Sequence, residues 1–251
     1  MSYSKNKIIE MDEVTPNEPY MQQTGKPTAT VFGYVFDRFY REDDFNADGT
    51  LKAGLPDPKI PVYPGDCKYV DLNGDNIIDT NDVKDIGYPT RPAYTFGLNY
   101  GINYKGWSLT MNWAGAAQRS LMLEQQYRNY FNGKKGGLMM FHVNERWTPE
   151  TESTATLPRF SERSASNNTQ TSSVWIRNGN YLRLKTLQFG YTFTDRELLK
   201  KIGISQLTLT LSGYNLLTFT DFDILDPESR PGWGSTYPVS RIYNLGLNIT
   251  F

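Results

Sequence analysis

The residues best suited to chemistry in this 251-residue chain are the oxygen-bearing side chains of a run from Asp71 to Asp82. Asp71, Asn73, Asp75, Asp79 and Asp82 fall at positions 1, 3, 5, 9 and 12 of that run, and the carbonyl of Ile77 falls at position 7. This is the ligand spacing of an EF-hand-type calcium loop, where a turn brings alternate oxygens inward toward a hard cation. Asn76 stands at the sixth position, where glycine is usual; asparagine is the next best residue for a left-handed turn. Asp82 is shorter than the bidentate glutamate that usually closes such a loop, which predicts weaker binding and a structural role for calcium. The same residues also suit an Asx-rich turn held by its own hydrogen bonds. A second, partial match at Asp44, Asn46, Asp48 and Thr50 loses its later ligands at Lys52 and Leu55 and reads as a loop.

Other chemistries are poorly supplied. The single cysteine, Cys67, excludes an internal disulfide and a cysteine-based zinc site. One histidine, His142, is expected to be a loop residue beside Trp147 rather than a catalyst. Glycoside hydrolysis needs two carboxyls at a defined separation. Glu145 with Asp223 or Glu228 are the available candidates, and nothing in their spacing fixes such a pair, so the chain is not read as an enzyme. Basic residues number 26 against 27 acidic ones, a net charge of −1, which argues against a nucleic-acid partner.

The elements that must position these residues show a different pattern. Tyr94, Phe96, Leu98, Tyr100, Ile102 and Tyr104 alternate with Thr95, Gly97, Asn99, Gly101 and Asn103, a strand with one apolar face. Lys105-Gly106 makes a tight turn, and Trp107, Leu109, Met111 and Trp113 begin the returning strand. Further on, Leu187, Phe189, Tyr191 and Phe193 alternate with polar and small residues, although Leu182 and Leu184 have the opposite parity. A bulge, or a strand top beyond the apolar zone, accounts for that break equally well. Leu207, Leu209 and Leu211 mark another strand, and Tyr243, Leu245, Leu247, Ile249 and Phe251 the last one. Strands are predicted near 3–11, 92–104, 107–118, 180–194, 205–217 and 241–251.

Aliphatics fill the inner faces of a soluble sandwich, whereas these strands carry aromatics toward their ends and small polar residues opposite. That is the pattern of an aromatic girdle around a wet lumen. No run of about 18 apolar residues exists, but barrel strands need only about 9–11 residues each. Connections are short on one side (Lys105-Gly106 and a helix-like stretch after Asp195) and long on the other, near 12–91, 119–178 and 218–240. The expected fold is all-β: an antiparallel portion of a large transmembrane barrel with short periplasmic turns and long extracellular loops. Six strands are too few to close, and the start lacks a signal peptide, so residues 1–251 are expected to be the carboxyl-terminal part of a longer barrel. Prediction places it in the cell outer membrane, in contact with lipid.

The chain resembles the carboxyl-terminal quarter of the SusC/RagA family of TonB-linked outer-membrane transporters. The resemblance rests on Gly65-Asp66-Cys67-Lys68-Tyr69-Val70-Asp71-Leu72-Asn73-Gly74-Asp75, Tyr104-Lys105-Gly106-Trp107, Arg146-Trp147-Thr148-Pro149 and Pro158-Arg159. It continues through Asn180-Tyr181-Leu182-Arg183-Leu184-Lys185, Gly213-Tyr214-Asn215-Leu216 and Asp226-Pro227-Glu228. It implies a barrel of about 22 strands, a SusD-like surface lipoprotein partner, coupling to the TonB complex through a part not in this chain, and glycan or oligopeptide cargo. Which residues bind cargo is not readable. The competing reading is a soluble calcium-stabilised carbohydrate-binding β module, with Trp147, Trp175 and Trp233 as stacking platforms.

Overall fold

The structure, a computed structural model, describes residues 1–124, 127–129, 131, 137–161, 166–193, 196–229, 237 and 239–251. In chain order the early strands are β1 (Ser2–Tyr3), β2 (Phe32–Tyr34), β3 (Phe36–Phe39), β4 (Cys67–Tyr69) and β5 (Val83–Asp85). There follow β6 (Tyr94–Tyr104), β7 (Trp107–Ala117), β8 (Ser120–Met122), helix α1 (Met140–Glu145), β9 (Ile176–Asn178) and β10 (Tyr181–Phe193). Helix α2 (Arg196–Lys201), β11 (Gln206–Thr220) and β12 (Ile242–Thr250) complete the chain. The architecture is all-β, with one antiparallel sheet in the order β1-β6-β7-β10-β11-β12 and three small two-stranded sheets, β2-β5, β3-β4 and β8-β9. Among the described residues no helix is long and apolar enough to cross a membrane.

The register of the large sheet sorts its side chains onto two faces. Leu98 opposes Trp113, Tyr100 opposes Met111, Leu109 opposes Phe189, and Leu211 opposes both Phe189 and Leu245. These apolar residues stand on one face that the described residues leave largely open: Leu98 is 60% and Leu245 75% exposed. The other face carries Asn99, Asn112, Gln188, Thr210 and Ser212 in register, with Asn112 bonded to Asn99 and Thr192 to Thr208 at 3.0 Å. A two-residue hairpin between β6 and β7 needs positive φ at both turn positions to match strand twist. Lys105 and Gly106 supply it, at 47° and 88°.

Aromatics gather at both ends of the apolar face. At the turn end Trp107 packs on Phe189 and Tyr191, with ring centroids 5.0 and 4.5 Å apart, and Tyr191 meets Phe193 at 5.0 Å. At the loop end Tyr3 stacks on Tyr94 at 4.6 Å and Trp113 on Phe219 at 6.4 Å. From Tyr94 to Tyr104 the strand rises by about 33 Å at 3.3 Å per residue. Tilted by about 40°, it spans roughly 25 Å, the height of the apolar band of an outer-membrane barrel.

One strand differs from its predicted form, and in another the structure decides between two forms the sequence left open. The first strand ends at Tyr3 instead of running to residue 11. The Ser4 amide still bonds to Ala93 (2.9 Å), but Asn6 then takes the amide of Thr28 (2.6 Å) and Ile8 that of Gly25 (2.9 Å), so the chain leaves the sheet to pair with its own first loop. The parity break in β10 is a bulge. Register shifts between Leu184 and Thr186 leave Lys185 without a counterpart on β7 and keep Leu182 and Leu184 on the apolar face, opposite Gly115 and Trp113. On β11, Asn215, at φ 54°, and Leu216 fill the matching irregularity, and the strand continues to Thr220.

The three long connections are not independent loops. Phe39, Cys67, Tyr69 and Ile78 from the first pack with Leu121, Tyr127, Trp147, Leu157 and Trp175 from the second and Phe222 from the third, in a single core cluster. This loop unit, with β2-β5, β3-β4 and β8-β9 as its short sheets, sits at the end of the barrel strands opposite the hairpin turn.

Candidate functional site

Asp66 is the polar hub of the loop unit. Its carboxylate, 1% exposed at residue level, accepts from Arg159 Nε (2.7 Å), Asn168 Nδ2 (2.8 Å) and the amide of Tyr63 (2.9 Å). Asn168 Oδ1 in turn accepts from the Cys67 amide (2.8 Å), and its carbonyl accepts from Trp175 Nε1 (2.8 Å). Asn167 donates to the Cys67 carbonyl (2.6 Å) and accepts from the Tyr69 hydroxyl (2.6 Å). A buried polar group is tolerable only when its bonds are made, and here two loops meet that demand for one another. Burial pushes the Cys67 thiol well up, so it stays neutral and unreactive.

Trp147 and Trp175 are 7% and 0% exposed, so they are core anchors and not sugar-stacking platforms; Trp233 lies outside the described residues. His142 is in α1 rather than a loop, and it is fully buried. Its Nδ1 accepts from the Met139 amide (3.0 Å) and its Nε2 donates to the Tyr127 carbonyl (3.1 Å), an arrangement of the neutral imidazole. Burial lowers its pKa, against the opposing pull of the Tyr127 carbonyl. Glu145 bonds to Thr156 and faces Arg177 at 3.9 Å, whereas Glu228 pairs with Lys185 at 2.5 Å. Asp44 is clasped by both Arg38 nitrogens (2.5 and 2.8 Å), which holds its carboxyl below the usual range; it serves an ion pair in a loop.

The acidic run folds as a tight turn on this unit. Asp71 accepts from the amides of Gly74 (2.7 Å) and Asn76 (2.8 Å), Asn73 from Asp75 (3.1 Å), and Asp75 from Ile77 (2.8 Å). Asp79 accepts from Asn81 (2.7 Å), and Asp82, fully buried, from Leu72 (2.7 Å) and Asp79 (2.9 Å). Asn76 takes the left-handed conformation, φ 62°, that the sixth loop position requires. The amides of Asp57 and Ile78 bond to the carbonyls of Asn76 and Asp57, both at 2.9 Å, tying the turn to the first loop, while Ile78 enters the core. Tyr20 donates to the Asn81 carbonyl (2.6 Å), and its phenol pKa is raised, first by desolvation and then by the charges of Glu18, Asp82, Asp71 and Asp75. Among the described residues no three Asp, Glu, His or Cys groups alone converge as a metal cradle. A cation would therefore need the Asn73 amide oxygen and the Ile77 carbonyl, using the second lone pairs of carboxylates already bonded to backbone amides.

A second charged cluster lies where β10 meets the third loop. Arg183, 2% exposed, points Nη2 at Asp226 (2.7 Å) and Nε at Thr218 Oγ1 (2.9 Å), and its Nη1 lies 3.4 Å from Glu228. Lys185 reaches Glu228, and Arg119 donates to the carbonyls of Pro227 (2.6 Å) and Ser229 (3.3 Å). The Asp226-Pro227-Glu228 and Arg183–Lys185 stretches, far apart in sequence, are thus one contact. No spacing signal announces it.

No family model matches the chain. It is 33% identical over 212 residues, 79% of its length, to TonB-dependent receptor P26 of Formosa agariphila, and 28% identical over its whole length to TonB-dependent receptor P3 of the same organism. It covers 20% and 26% of those relatives, so it spans a fifth to a quarter of their length. Among solved structures it superposes on the RagAB peptide importer in the open-open state with a TM-score of 0.63 at 21% identity, over 99% of this chain and 26% of that one. A further structure of the RagAB peptide transporter matches with a TM-score of 0.62 over 95% of the chain.

Proposed function

We propose that this chain, similar over most of its length to TonB-dependent receptors, belongs to a receptor of the SusC/RagA type and forms wall and extracellular crown of an outer-membrane nutrient importer. The observation that carries this reading is the two-faced sheet: an exposed apolar face bounded by aromatics and, opposite, a face of mostly small and polar residues. Lipid covers the first and the water-filled lumen the second. The cargo is a glycan or an oligopeptide, delivered by a SusD-like lipoprotein seated on the loop side. Energy comes through the TonB complex, engaged by parts of the receptor outside this chain. The relatives are receptors and importers by name, and catalysis has no place in this reading.

The test is isolation of the full-length receptor from outer membranes through an affinity tag, followed by mass spectrometry of what accompanies it. A SusD-like lipoprotein in near-equal amount, with bound oligosaccharide or oligopeptide, is the expected result. A receptor that is solitary and empty under gentle extraction would overturn the partner and cargo assignment.

The acidic turn is proposed to hold calcium in a structural role through Asp71, Asn73, Asp75, Ile77, Asp79 and Asp82. In favour stand the left-handed Asn76, the burial of Asp82 and the negative field felt by Tyr20. Extracellular sites of this kind work at affinities of about 0.1–1 mM. Changing Asp71 and Asp75 together to Ala should abolish calcium uptake by the full-length receptor while heat-modifiable folded barrel persists. Equal uptake by wild type and double mutant in calorimetric titration leaves only a hydrogen-bonded turn.

A further inference from the structure

We infer that Asp226–Ser229 is a fixed strap, tied by Arg119, Arg183 and Lys185 onto the lumen side of the barrel wall at its extracellular end. The inference rests on the barrel reading and adds to it a specific immobile part of the mouth.

The side of the sheet follows from register. Arg183 opposes Ala114 on β7 and Thr218 on β11, both on the face of Asn112, Thr110 and Thr210, the polar one. The bulge makes this possible. Had β10 kept regular alternation through Lys185, residue 183 would share the parity of Leu187 and Phe189 and point at lipid. The extra residue instead turns Arg183 inward and frees Lys185 to reach the same loop.

The strap meets both with carboxylates and carries its own internal order. Asp226 accepts from Arg183 through Oδ2 and from the Glu228 amide through Oδ1 (2.9 Å), and the Asp226 carbonyl takes both the amide (2.9 Å) and the hydroxyl (2.6 Å) of Ser229. Pro227 fixes its own φ at the centre. Arg119 then holds the carbonyls on the far side of the turn and is itself bonded through Nε to Thr90 (2.9 Å), so the first loop joins the tie. A charge this deeply buried is costly unless paired, and removing one member leaves the other uncompensated. The segment is therefore held from three directions, unlike a loop that swings to admit cargo.

Hydrogen exchange on the full-length receptor in lipid nanodiscs tests this. In the wild type, peptides covering 226–229 should exchange at least about tenfold more slowly than the exposed turn at 47–50, as expected of locally stable structure. Equal rates would overturn the strap without any variant being made. Arg183→Ala should raise exchange at 226–229 by at least about tenfold, with strand peptides 98–103 unchanged, because the buried carboxylate loses its partner. Lys185→Gln, which removes only the partly buried pair with Glu228, should give a smaller rise of about threefold or less. Unchanged exchange in both variants contradicts the inference even if the wild type is protected. Heat-modifiability of each preparation reports separately on the barrel, so a failed strap and a failed barrel give different results.

Discussion

A Cβ on Gly65 would stand 2.3 Å from Cε3 of Trp147 and 2.9 Å from Cβ of Arg159, and the residue's φ of 85° is one that side-chain-bearing residues rarely adopt. Gly65→Ala should therefore loosen the loop unit by roughly 1–3 kcal/mol through overpacking and backbone strain. Limited proteolysis of the full-length receptor checks it: faster cleavage in loops 12–91 and 119–178, with the barrel strands intact. His142 gives a pH dependence whose sign follows from its lowered pKa. The unfolded chain binds a proton near its ordinary value of about 6.5, whereas the folded unit binds one only at lower pH. The stabilisation is fully present above about pH 6.5 and is lost as pH falls from there through the folded value. Exchange protection of the loop unit should weaken over that window, and His142→Gln should flatten the response. Identical pH profiles for both proteins would remove His142 from the account.

At the scale of elements, the bulge in β10 makes the most specific claim. Deleting Lys185 should close the bulge into regular alternation, because Leu184 and Thr186 already stand on opposite faces, and should leave Arg183 on the polar face without the neighbouring Lys185–Glu228 pair. Folded receptor in the outer membrane should persist in the deletion as it does in Lys185→Ala, checked by gel heat-modifiability; loss of folded barrel in the deletion alone would contradict the bulge as the extra residue. The long strands were legible in the sequence because each is nine or more residues long and shows its period over most of that length. Leu182 and Leu184 showed that β10 breaks but not how, since a bulge and a projecting strand top leave the same parity mark. The loop unit was not legible. Its strands are three or four residues long, too short to display a period, and its core gathers Phe39, Trp147, Trp175 and Phe222 from three connections. Trp147 and Trp175 were conspicuous only as aromatics, which serve cores and sugar platforms alike. The acidic turn was visible as a spacing, but Asp66 as a hub was not, because its partners Arg159 and Asn168 lie far along the chain.

For the whole molecule, the loop unit has a closed core, whereas the large sheet leaves one face bare and its outermost strands, β1 and β12, unpaired on one side. Contiguous apolar surface and open edges lead to association in water. Residues 1–251 expressed alone should aggregate without detergent, and a monodisperse detergent-free monomer with a cooperative melt would contradict the barrel account. The most direct test of the central claim, that one face meets lipid and the other the lumen, is a scan of single cysteines from Leu98 to Asn103 in the full-length receptor. Each site would carry a fluorophore, quenched in turn by a lipid-phase and by a water-soluble agent. A period of two is expected: Leu98, Tyr100 and Ile102 quenched from lipid, and Asn99, Gly101 and Asn103 shielded from it. Uniform quenching by the water-soluble agent at all six positions would contradict it.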